Sequence, residues 1–183
     1  MNSQGMEALQ CHKAWFYIGS ILPDCVPSFL VRRHTIEDSF PVLEKEICKL
    51  LQHFDPKKGM SAYCCRHMGV ITHYVSDYFT FPHNSNFTGG LAEHCSYEEA
   101  LKHALRSYVK SEEAVRAREK NGSLKTKEDI LAFIHKLHEE YLMVQSKVAR
   151  DCEYIVELCH RVVDALLQFF EAQMPGRQSA PAL

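Results

Sequence analysis

The chain is 183 residues long, 46% hydrophobic and 24% charged, the balance of one globular domain large enough to bury a core. Its formal net charge is −2 with Lys and Arg dispersed, so no basic stripe indicates a nucleic-acid partner, and no apolar run reaches bilayer-spanning length. Eight cysteines occur without a Cys-x-x-Cys pair, and the first residues show no basic stretch leading into an apolar core; the thiols read as reduced and mostly buried in a cytoplasmic protein.

Residues 1–18 begin polar and become amphipathic through Met6, Leu9, Trp15, Phe16 and Ile18, and Gly19 fits a helix end. GSILPDCVPSF follows, where Pro23 and Pro27 predict an irregular turn around Asp24. An acid between prolines is a turn-former or a ligand, and the local pattern favours the turn. His34, next to Arg32 and Arg33, reads locally as a surface residue. Thr35 or Asp38 caps a helix running to Phe54, with Val42, Leu43, Ile47, Leu50 and Leu51 as its inner stripe. DPKKG, residues 55–59, is a turn. The next helix, Met60 to Phe79, is apolar almost all round and is therefore expected at the centre of the molecule.

That central helix carries His73 and Asp77 four residues apart, one above the other on a single face. Pro82 disfavours a helical Phe81 and turns the chain. His83 follows in a loop of Asn, Ser, Thr and Gly. A helix from Gly90 then puts His94 and Glu98 on one face, again four apart, and continues to about Glu119. Two helices and their loop can thus bring five imidazole and carboxylate side chains to one pocket, the donors that Zn²⁺ accepts. Phe79, Phe81 and Phe87 are placed to line an apolar wall or to pack the core, and the core is favoured. Asn121-Gly122 is a turn. Thr126 opens a helix through Ile130, Phe133, Ile134, Leu137, Tyr141 and Val144, and Ala149 to Met174 forms the last one. Strand-like alternation is absent, so the fold class is an all-α, single-domain, multi-helix bundle over residues 1–174 with a disordered tail at 175–183.

The remaining histidines are weaker candidates. Glu157 and His160 make only one Glu-x-x-His, where a di-iron bundle needs two. His135 and His138 are expected to face water, and His67 to face away from His73. There is no His-Asp dipeptide, Gly-rich phosphate loop or Gly-x-Ser-x-Gly elbow.

GSILPD, a histidine ten residues beyond Asp24, GVITHYVSDYFTFPHN and HCSYE together resemble the zinc-dependent phospholipase C family, whose helical fold is shared with zinc nucleases. The resemblance covers residues 14–100, and the terminal Glu98 favours the phospholipase branch, since the nucleases usually carry Asp there. It implies that Asp24, His34, His73 and Asp77 hold one zinc and that His83, His94 and Glu98 hold a second, which overrides the local readings of Asp24 and His34. The family's third zinc uses the N-terminal residue, a histidine early in the first helix and the aspartate matching Asp77. The only upstream histidine here is His12, close before GSILPD, and it reads as a core or surface residue, so two ions are expected. Fe or Mn accept the same donors.

The implied activity is hydrolysis of a phosphoester by a metal-activated water, with Asp24 as the catalytic carboxylate that orients or deprotonates it. A small phosphoester and a phospholipid head group are both open as substrates. The competing readings are a helical domain that binds metal without turnover, and a phosphodiesterase or nuclease acting on non-lipid substrates.

Overall fold

A computed structural model describes residues 7, 9–26, 33–112, 114, 124–145 and 147–174. The expected turn at Pro27, the end of the helix expected to reach Glu119, the Asn121-Gly122 turn and the tail at 175–183 lie outside these residues. Among the described residues there are six α-helices and no strand: α1 Lys13–Cys25, α2 Ile36–His53, α3 Ala62–Tyr78, α4 Leu91–Tyr108, α5 Lys127–Leu142 and α6 Val148–Gln173. A single 3-10 turn, Phe81–His83, joins the α3 end to the loop before α4. Among the described residues no helix is long and apolar enough to cross a membrane.

Helix α3 occupies the centre, as its all-round apolarity predicts. Cys64, Cys65, Met68, Ile71, Tyr74, Val75 and Tyr78 are fully buried, and α1, α2 and α6 pack around it. The helix starts follow the sequence signals. Thr35 Oγ1 accepts from Asp38 N at 3.3 Å at the head of α2, and Ser61 Oγ accepts from Cys64 N at 3.3 Å at the head of α3. Thr126 and Asp129 form a reciprocal capping box on α5. The DPKKG turn closes on Asp55 O, with Gly59 in the left-handed region at φ 67°.

Helix α1 departs from expectation. It does not end at Gly19 but runs through Pro23 to Cys25, so Asp24 sits on its last turn rather than in an irregular one. The cause is tertiary. A Cβ on Gly19 would lie 2.0 Å from Arg66 O, and one on Gly69 would lie 2.2 Å from Phe16 O. The two glycines let α1 and α3 meet backbone to backbone, and that contact holds α1 helical past a residue that reads locally as a stop.

Three further expectations are corrected. Helix α4 stops at Tyr108, because Ser111 Oγ accepts from Ala114 N and opens a separate turn. His138 does not face water: it is buried, and its Nε2–H donates to Asn84 Oδ1 at 2.7 Å. The thiols are not mostly buried. Cys11, Cys25 and Cys95 are exposed, Cys48 and Cys159 half-buried, and only Cys64, Cys65 and Cys152 lie inside. All eight are free. Phe79 is core, stacked on Tyr154 at 5.7 Å, whereas Phe81 and Phe87 are half-buried and meet edge to face at 5.3 Å.

Candidate metal centre

Three parts of the chain deliver the four donors of the first group. Asp24 comes from the α1 end, His34 from the segment ahead of α2, and His73 and Asp77 from one face of α3. His73 Nε2 and His34 Nδ1 are 3.2 Å apart, and each stands 3.0 Å from Asp77 Oδ2. Asp24 Oδ1 is 3.6 Å from both imidazole nitrogens. Donors held about 2.0–2.1 Å from a tetrahedral zinc stand roughly 3.3 Å from one another. The observed spacings bracket that value.

The state of His73 gives this geometry its meaning. Its Nδ1–H donates to Ser20 O at 2.8 Å, a contact made possible by the Gly19–Gly69 crossing one turn away. The neutral ring then points its Nε2 lone pair at the Asp77 and Asp24 carboxylates, acceptor against acceptor. Only a proton or a cation relieves that. Burial disfavours charge on His73, but the hydrogen bond to Asp77 and the charges of Asp77 and Asp24 outweigh it and raise its pKa above the ordinary 6.5. Asp77 shows the converse: burial pushes its pKa up, and hydrogen bonds with His34 and His73 overcome that and hold it at about 2.

The second group is local in sequence. His83 lies in the 3-10 turn, and His94 and Glu98 on α4; Glu98 Oε1 stands 3.0 Å from both imidazole Nε2 atoms. With three protein donors and a Glu98 side chain 46% exposed, this group leaves room for a further oxygen. The His34 and His83 rings stack at 6.3 Å between centroids, so the two groups adjoin. Both border one cleft of about 570 Å³, whose walls include Arg33, Phe87 and Leu91.

All seven residues singled out from the sequence thus fall into two adjacent sets of donors. Their supports were not singled out. Asp151, at 0% exposure, accepts from Tyr97 Oη at 2.8 Å, Tyr141 Oη at 2.8 Å and Phe81 N at 3.0 Å. It therefore fixes the residue before Glu98 and the turn that carries His83. Burial raises its pKa against the pull of those three donors. Asn84 Nδ2 donates to Tyr78 O and Thr80 O from the other side of the turn. The one sequence signal for Asp151 is an acid four residues ahead of Ile155, on the stripe that α6 buries.

The sequence matches the family described as zinc dependent phospholipase C over residues 1–147, a span that contains every donor in both groups. No curated protein and no solved structure matched it. An all-α bundle, two sets of oxygen and nitrogen donors at zinc spacing and a family match across most of the sequence agree, and the chain belongs to the zinc-dependent phospholipase C family.

Proposed function

We propose that the protein is a metal-dependent phosphoester hydrolase with one divalent ion, zinc in the first instance, in each donor group. The observation that carries this is the acceptor-against-acceptor arrangement of His73, Asp77 and Asp24, which a cation resolves. Bound zinc would supply a water of near-neutral pKa and positive charge against which phosphate charge builds up. The chain's own residues do the rest. His73 is locked in one tautomer by Ser20 and presents Nε2 inward. Asp77 draws His34 and His73 together. Asp24, with its side chain 63% exposed, is the carboxylate with solvent access and takes the proton of the attacking water. His83, His94 and Glu98 would hold the second ion beside the first group, on the same cleft.

The test measures zinc content and hydrolysis of bis-p-nitrophenyl phosphate and p-nitrophenylphosphorylcholine, with and without chelator. The expected result is two ions per chain and chelator-sensitive turnover. His73→Ala should lose one equivalent of zinc and on the order of a hundredfold or more in kcat/KM. A His73→Ala protein with full zinc content removes His73 from the site. Two tightly held ions with no chelator-sensitive hydrolysis of any phosphoester would instead establish a metal-binding domain without turnover.

A further inference from the structure

The walls of the cleft are uneven in a way the two donor groups do not explain. Arg33 sits on its wall beside His34, exposed to solvent and without an ion pair among the described residues. Among the described residues, no carboxylate outside the two donor groups lines the cleft, and Phe87 is its one phenyl ring. Pro82, Phe87 and Leu91 supply an apolar side, and Leu91 is 80% exposed, a large apolar side chain left uncovered at the head of α4. A quaternary ammonium head group needs a free carboxylate or a cage of several aromatic faces, and the described lining offers neither beyond the carboxylates already committed to the donor groups. A guanidinium keeps its charge at every working pH and matches two phosphate oxygens with parallel N–H donors.

We propose that the cleft selects dianionic phosphomonoesters of apolar alcohols over zwitterionic phosphodiesters, with Arg33 reading the second negative charge and Phe87 and Leu91 taking the apolar group. The inference rests on the reading that both donor groups hold ions facing this cleft. The monoester spreads two negative charges over three unesterified oxygens, so the Arg33 fork has a second charge to take while the ester group lies against Phe87. A phosphodiester has one charge to offer and leaves Arg33 unmatched.

Two probes of nearly the same shape isolate that charge: phenylphosphonate, a dianion at pH 8.5, and its monomethyl ester, a monoanion. Titration calorimetry on the protein carrying its metal should show the dianion bound at least about tenfold more tightly, the worth of a charge-assisted hydrogen bond. Arg33→Gln should cost the dianion about tenfold or more and the ester less than about threefold, with zinc content unchanged. Arg33→Lys should restore part of the loss. In turnover, p-nitrophenyl phosphate should exceed p-nitrophenylphosphorylcholine in kcat/KM, and Arg33→Gln should narrow the gap. Equal loss on both probes, no loss on either, or a protein that binds neither probe overturns the inference. Selective dianion binding that Arg33→Gln abolishes, with no hydrolysis of any phosphoester, leaves the selection standing and rejects the hydrolase.

Discussion

A single imidazole can be committed by the atoms at its back, and His73 is committed by Ser20. Glu46 and His67 repeat the arrangement away from the cleft, between α2 and α3. Glu46 is buried, accepts from His67 Nδ1, and also takes Lys49 Nζ at 2.6 Å. Burial pushes the Glu46 pKa up, but the bonds from His67 and Lys49 prevail and hold it below the ordinary 4.5. The sign follows: its stabilisation is full above 4.5 and fades as pH falls through the lower folded value. Glu46→Gln should therefore cost about 1–3 kcal/mol at pH 7, and the deficit should shrink below pH 4.5. Urea melts from pH 7 to 3.5 check this, and a deficit that grows on acidification would contradict it. Neither pair was legible in the sequence, because Glu46 and His67 are 21 residues apart and a pairing across two helices leaves no local pattern. Asp24 and His34 read locally as a turn-former and a surface residue for the same reason, and it is the resemblance that groups them with His73 and Asp77, beside which they stand.

At the scale of elements, the strongest local signals were caps and periodicity. The starts of α2, α3 and α5 follow from Thr35, Ser61 and Thr126, and the central place of α3 from its unbroken apolarity. Glycine misled, since Gly19 has the look of a terminator and serves as a contact. Gly69→Ala sets two effects against each other. Alanine gains roughly 1 kcal/mol of helix propensity, whereas a Cβ 2.2 Å from Phe16 O forces α1 away at about 1–3 kcal/mol or more. The clash is with backbone and cannot be relieved by a rotamer, so the net effect should be a lower thermal midpoint. The displaced Ser20 carbonyl should also release His73, and zinc retention at the first donor group should fall with it. A Gly69→Ala protein of unchanged midpoint and zinc content would show that the crossing is looser than described.

For the molecule as a whole, the first donor group is assembled from residues 24 to 77 and exists only in the folded chain. Ions bound there stabilise the native state by mass action. Free zinc at a hundred times the dissociation constant is worth about 2.7 kcal/mol per site. Calorimetric melts should therefore show a lower midpoint in chelator, restored by zinc and not by magnesium, whose octahedral preference suits these donors poorly. A midpoint indifferent to chelator would separate metal from fold.

The family match stops at residue 147, and the acceptor shared by Tyr97, Tyr141 and the Phe81 amide stands just past it, on α6. A chain cut at that boundary would keep every nitrogen and oxygen meant for an ion and lose the post to which one wall of the cleft is moored. The last helix is therefore the keel of the second donor group: through Asp151 it holds Tyr97 and the Phe81 amide, and so decides whether His83 and Glu98 stand where they can be used together.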